Sequence, residues 1–188
     1  MPKKIGKFYI AIVPTDPLQG RATELKLQLK DKFNLKYALK SPAHVTLKMP
    51  FLWNEAKEYD LISHLSQFFM QQPGFGLTLN GIGKFGKRVL YVKVGGQTAA
   101  LYSLQKKLVT MCQTTLNLKQ EMSDYAYHPH MTLAHKDVKH KLFEDYFLYL
   151  KSTGFQENLK VQDIALLRKE IGRWEVYQRF PLNAMVSQ

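Results

Sequence analysis

The tetrapeptide His44-Val45-Thr46-Leu47 recurs as His130-Met131-Thr132-Leu133, 86 residues further along the chain. Both copies lie in stretches with strand character, "SPAHVTLKMPF" from Ser41 to Phe51 and "YHPHMTLAH" from Tyr127 to His135. Side chains alternate along a strand, so Val45 and Leu47, like Met131 and Leu133, point to one face while each histidine and threonine point to the other. The fold must therefore anchor two separate strands through one face and leave the opposite face of each with an imidazole beside a hydroxyl. If both strands meet at one cleft, two imidazoles and two hydroxyls converge there.

The rest of the sequence supplies a mixed α and β frame. The apolar run Phe8 to Val13 reads as a first strand, stopped by Pro14, Asp16 and Pro17. Leu25, Leu29 and Phe33 recur at helical spacing between Leu18 and Phe33, and Leu61, Leu65, Phe68 and Phe69 do so between Glu55 and Phe69. Strands are expected at Phe75 to Ile82 and Arg88 to Val94, joined as a hairpin. A helix follows from Thr98 to about Leu116, then a polar connection, the second motif strand, and a helix from about Val138 to Leu150. Three strands follow, Gly154 to Lys160, Val161 to Arg168 and Arg173 to Phe180. Strands arrive as hairpins as well as after helices, and no glycine-rich phosphate loop follows a strand, which disfavours a doubly wound nucleotide fold. The order hints at two related halves, each with one His-x-Thr-Leu strand, and predicts a single two-lobed domain over residues 1–188.

Histidine serves as proton donor or acceptor near neutral pH, so two facing copies suit paired general acid and general base work. Threonine hydroxyls donate hydrogen bonds to charged oxygens, including those that gain charge in a transition state. A phosphodiester fits these parts. One of His44 and His130 activates the attacking oxygen and the other protonates the leaving oxygen, while Thr46 and Thr132 hold phosphoryl oxygens. Lys48 shares the face of His44 and Thr46 if that strand stays regular, and Lys136 follows the second motif, so both are candidate phosphate contacts. The scheme needs no metal and no cofactor.

Charge and cysteine content narrow the partners. The 27 Lys and Arg against 15 Asp and Glu leave a net charge of +12, which favours a polyanion. The lone cysteine, Cys112, excludes an intramolecular disulfide and a cysteine-based zinc site; with Leu101, Leu104 and Leu108 it reads as a packed thiol on a helix, in a reduced, cytoplasmic protein. Phe8 to Val13 is too short for a leader, and nothing approaches the roughly 20 apolar residues of a membrane span, so no membrane partner is expected.

The two motifs, His44-x-Thr46-Leu47 and Pro129-His130-x-Thr132-Leu133, resemble those of the two-histidine (2H) phosphoesterase superfamily, most closely its 2′-5′ RNA ligase and cyclic phosphodiesterase branch. The resemblance extends over most of the chain, through the opening strand, the "GIGKFGKRVLYVKV" segment and the closing "RFPL". It implies an α+β fold of two pseudo-symmetric antiparallel sheet lobes, with helices packed outside and a central cleft. It also implies metal-independent cleavage of a 2′,3′-cyclic phosphate or related nucleotide phosphodiester, in some members run backwards to join RNA ends. The expected partners are RNA ends or nucleotides bearing a cyclic phosphate, and a monomer is expected. His135 stands where members of the family often carry arginine.

Other readings compete for some of these residues. A non-catalytic RNA or nucleotide-binding module would keep the same cleft. His128, His130 and His135 suggest a metal site, although alternation turns His135 toward the side of Met131 and Leu133. Phe85, Tyr91, Tyr125 and Tyr127 either stack on a base or pack, and Lys26, Lys30, Lys32, Lys84, Lys87 and Arg88 either guide RNA or form solvated faces.

Overall fold

Alternation in the first strand sets the layout. In the computed structural model, which describes residues 4–184, β1 (Ile5–Ile12) turns Phe8, Ile10 and Ile12 into the main core. Tyr9 and Ala11, with Val13 just beyond, face the opposite side and pack with Ala165 and Leu167. The ends of the expected 1–188 domain lie outside the described residues.

The expected helices form where the apolar periodicity placed them. Leu18, Ala22, Leu25 and Leu29 bury one face of α1 (Leu18–Phe33), and Leu61, Leu65 and Phe69 one face of α2 (Glu58–Met70). Strands β2 (Val45–Asn54), β3 (Phe75–Phe85) and β4 (Val89–Gly96) are followed by α3 (Thr98–Thr114), whose Leu101, Leu104, Leu108 and Cys112 are all buried. That burial pushes the Cys112 thiol up to about 12.

The connection read as merely polar holds a short helix, α4 (Met122–Tyr125), closed by a reciprocal box between Glu121 and Asp124. Four residues are too few to show a helical period. Then come β5 (His130–Ala134), α5 (Phe143–Ser152), β6 (Gln156–Val161), β7 (Asp163–Glu170) and β8 (Arg173–Pro181).

All eight strands join one sheet in the order β6-β3-β4-β5-β2-β1-β7-β8, with every neighbouring pair antiparallel. The two halves are thus two sets of strands in a continuous sheet, β6-β3-β4-β5 and β8-β7-β1-β2, meeting where β5 lies beside β2. Buried residues of α1, α2, α3 and α5 share the main core with one face of the sheet, while residues of α4 line the cleft on the motif side. Among the described residues, no helix is long and apolar enough to cross a membrane.

The expectation for Lys48 fails because β2 is not regular. Ala11 pairs with Thr46 but Ile10 pairs with Lys48, so β2 carries an extra residue at Leu47. A bulge of this kind puts Thr46 and Lys48 on opposite faces. Lys48 is fully buried, and its ammonium donates to Asp124 Oδ2 at 2.5 Å and to the Lys119 carbonyl at 3.1 Å. The other carboxylate oxygen accepts the Met49 N–H at 2.8 Å, and Oδ2 also accepts the Glu121 N–H at 3.0 Å. Lys48 is therefore a buried structural cation that ties β2 to α4, not a phosphate contact.

Removing one partner of such a pair strands the other charge in the core. Asp124→Ala is expected to lower the unfolding free energy by about 3–5 kcal/mol, measured by denaturant titration. The double variant Lys48→Met/Asp124→Asn should be less destabilised than Asp124→Ala, because no unpaired charge remains.

Candidate functional site

Both motifs show the alternation their spacing demands: Val45, Leu47, Met131 and Leu133 are buried, while His44, Thr46, His130 and Thr132 are half-buried. The pairing of Val45 with Met131 joins the two strands antiparallel. Carried one residue either way, that register sets His44 across from Thr132 and Thr46 across from His130, so each imidazole neighbours the other motif's hydroxyl. All four line one cleft of about 600 Å³.

Each histidine is held in the same way. His44 Nδ1–H donates to the Pro42 carbonyl at 2.8 Å, and His130 Nδ1–H donates to the His128 carbonyl at 2.7 Å. A carbonyl only accepts, so these bonds select the tautomer protonated at Nδ1 and leave Nε2 as the acceptor. Burial lowers the pKa of His44 to about 4, helped by the positive charge of Lys26 and against the Pro42 bond, which favours the charged form. Burial also lowers His130, assisted by His128. Both imidazoles are neutral bases at neutral pH.

The segment that delivers His44 is clamped by α1. Gln19 binds both backbone groups of Ala43, its Oε1 accepting the N–H at 2.8 Å and its Nε2 donating to the carbonyl at 3.0 Å. Two turns further along the same helix, buried Lys26 donates to the carbonyls of Ala38 at 3.2 Å and Ser41 at 3.1 Å. Burial lowers the Lys26 ammonium to about 8, so it remains mostly charged at neutral pH beneath the cleft.

Aromatic walls flank the two imidazoles. On one side the Tyr9 ring lies 5.0 Å from His44 and 4.6 Å from Trp174, with the Tyr9 hydroxyl 3.4 Å from His44 Nδ1. On the other, Phe85 lies 4.9 Å from His130 and 4.4 Å from Tyr91. Gly83 leaves room for the Tyr91 ring, which a side chain there would strike.

Past Thr132 the geometry departs from simple alternation. The register with β4 shifts between Leu90 and Tyr91, Leu133 and Ala134 are both buried, and β5 ends there. His135 consequently turns into the cleft with Lys136 rather than toward the Met131 side. Its Nδ1 is buried without a hydrogen-bond partner, and burial lowers its pKa. Lys136 also lines the cleft, its ammonium 3.0 Å from the Tyr37 hydroxyl. His128 lies beside His130, rings 6.4 Å apart. Among the described residues, no three His, Cys, Asp or Glu side chains are gathered around a common point.

Of the expected residues, His44, His130, Thr46, Thr132 and Lys136 come together and Lys48 does not. Sequence reasoning missed Tyr9, Trp174 and Gln19, and it set Lys26 on a solvated or RNA-guiding face, whereas Lys26 is buried with its ammonium on the Ala38 and Ser41 carbonyls. Alternation offered a signal for Tyr9, which sits between Phe8 and Ile10. No local signal marks Gln19, because its role depends on a contact with Ala43 that only the folded chain makes.

A model of the 2′-5′ RNA ligase superfamily matches residues 14–173. A protein of Bacillus licheniformis named "Putative phosphoesterase" is 26% identical over 183 residues, covering 95% of this chain and 99% of its own. A Bacillus cereus protein of the same name is 27% identical, covering 94% and 97%. Among solved structures, Escherichia coli LigT in its apo form superposes with a TM-score of 0.63 at 18% identity, covering 96% of this chain and 99% of that one. The same protein complexed with 3′-AMP gives 0.62 at 20% identity, covering 95% and 99%. These structures share the fold, and the family model spans both motifs: the chain belongs to the 2′-5′ RNA ligase superfamily of 2H phosphoesterases.

Proposed function

We propose that the chain hydrolyses a 2′,3′-cyclic phosphate, or a closely related phosphodiester at a nucleotide or RNA end, by metal-independent acid and base catalysis between His44 and His130. The observation that carries this reading is the matched pair of Nδ1–H bonds to the Pro42 and His128 carbonyls, which leaves both Nε2 atoms as acceptors in one cleft. His44 has the stronger depression and acts as base in the hydrolytic direction, taking a proton from water as its oxygen attacks phosphorus. His130, in its protonated form, gives a proton to the departing ribose oxygen. Thr46 and Thr132 donate to the non-bridging oxygens, and Lys136 meets phosphate charge at the end of the cleft. With an RNA 5′-hydroxyl in place of water as nucleophile, His44 takes its proton and His130 protonates the departing 3′ oxygen, so the ring strain of the cyclic phosphate drives 2′-5′ joining. The two histidines exchange roles when that bond is cleaved back to the cyclic phosphate. A neighbour of the same fold was solved with 3′-AMP and with phosphate, the classes of group that this cleft would hold.

Hydrolysis of a nucleoside 2′,3′-cyclic phosphate, followed by chromatography with and without chelator, tests the proposal. His44→Ala and His130→Ala should each lower kcat about 10²–10⁴-fold, and Thr46→Val or Thr132→Val about 10²-fold. Activity retained in both histidine variants, or tight binding with no turnover of any phosphodiester, would overturn it; the latter outcome would point to a binding module.

The pH profile gives a second check. A base with a depressed pKa loses activity only when pH falls through that value, so the acid limb of kcat/KM should lie near pH 4. The acid must be protonated, so the alkaline limb follows His130 and falls below the ordinary histidine value of about 6.5. The expected optimum lies between these limbs, measured from initial rates in constant-ionic-strength buffers.

A further inference from the structure

Three segments distant in sequence bring cations together at one end of the cleft. Lys136, just after β5, donates to the Tyr37 hydroxyl at 3.0 Å and lies 4.7 Å from the centre of the Tyr37 ring. Lys40, in the 3₁₀ turn Tyr37–Lys40, stands 4.9 Å from the same ring centre. From the β7–β8 hairpin, Lys169 packs its ammonium 5.0 Å from the Trp174 ring centre. Arg173 in that hairpin donates to the Leu39 carbonyl at 2.9 Å, fastening it to the Tyr37–Lys40 turn. The three ammonium groups act together on the Tyr37 phenol, which Lys136 first, then Lys40 and Lys169, hold below its ordinary range.

This is a built arrangement rather than a solvated helix face. Among the described residues, no ion pair involves Lys40, Lys136, Lys169 or Arg173. The acids that adjoin Lys136 and Lys169 in sequence bond to other groups. Asp137 Oδ2 accepts the backbone N–H groups of Lys36 at 2.7 Å and Tyr37 at 2.6 Å, and Glu170 pairs with Arg168. Lys136 is held at φ 63°, a left-handed conformation that lysine seldom takes. Gathering like charges with no carboxylate paired to them is unfavourable unless an anion shares the site.

We propose that Lys40, Lys136 and Lys169 around Tyr37 form a subsite for a second phosphate group of the substrate, beside the one that reacts between His44 and His130. The subsite rests on the reading of those histidines as a phosphodiester site, and it makes the preferred substrate one with two phosphates. The second phosphate belongs either to the neighbouring nucleotide of an RNA strand or to the 5′ position of the same nucleotide. Lysine suits either, because its ammonium is a point charge that does not demand the planar geometry of an arginine fork.

Binding measured directly, without turnover, separates this proposal from the catalytic one. Calorimetric titration would compare adenosine 3′-phosphate, adenosine 3′,5′-bisphosphate and the dinucleotide ApA ending in a 3′-phosphate. One or both of the two-phosphate ligands should bind about 10-fold more tightly than the monophosphate, and which one does so identifies the source of the second phosphate. For the dinucleotide, the slope of log affinity against log salt should steepen by about 0.7. Lys40→Gln/Lys169→Gln should remove most of the gain. Lys106→Ala/Lys107→Ala, which deletes the same charge from the exposed face of α3, should leave it intact. Equal or undetectable binding of all three ligands, or a gain that survives Lys40→Gln/Lys169→Gln, would overturn the subsite. Loss of the gain in both double variants would also overturn it, by assigning the effect to net charge. None of these outcomes depends on whether a cyclic phosphate is hydrolysed.

Discussion

Val45 and Met131, both fully buried, pair across the two strands that join the halves of the sheet, and the placement of His44, Thr46, His130 and Thr132 on the opposite face follows from that register. The join is short, since β5 has only five residues. Two carboxylates reinforce it from either side of β5. Asp124, before the strand, takes the Lys48 ammonium and the Met49 N–H of β2; Asp137, after it, takes the N–H groups of Lys36 and Tyr37. Both reach from the C-terminal half of the chain to backbone of the N-terminal half. The cleft is thereby held by charge-assisted bonds at its two ends and by apolar packing beneath its middle.

Much of this was legible because it rests on local periodicity. Alternation through His44-Val45-Thr46-Leu47 and its copy fixes which side chains are anchored, and the four-residue spacing of Leu25, Leu29 and Phe33 announces α1. What stayed hidden depends on irregularity or on long-range contact. The bulge at Leu47 carries no local mark, yet it moves Lys48 from the cleft to the core. The register shift near Tyr91 does the converse for His135, which alternation would have buried beside Met131 and which lines the cleft instead. The two errors share one cause: a period of two holds only while the ladder is unbroken.

The pseudo-symmetry of the motifs does not extend to their supports. His44 and His130 make the same bond to a carbonyl two residues earlier, and each has a tyrosine on the neighbouring strand, Tyr9 on β1 and Tyr91 on β4. On the His44 side α1 grips the chain right beside the motif, through Gln19 and Lys26, whereas on the His130 side Gln105 of α3 holds the Asp124 carbonyl, six residues before the histidine. Gln19 supplies Ala43 with one donor and one acceptor, as an adjacent strand would, at the point where the chain enters β2. The more firmly held imidazole is also the one whose pKa falls furthest, because the same enclosure that restrains it removes water from around its charged form.

That coupling explains why the positive charge needed to attract a phosphate resides on lysines. A protonated histidine would bind an anion but could not accept a proton, so an imidazole that supplied attraction would be withdrawn from base catalysis. Lys26 carries fixed charge below the cleft, with two carbonyls offsetting the cost of burying its ammonium, and that charge disfavours a second positive group on His44. Lys40, Lys136 and Lys169 carry charge at the cleft's end. The histidines are thereby left neutral until a phosphate arrives, whose own negative charge favours a proton on one of them and creates the acid and base pair only when there is a bond to break.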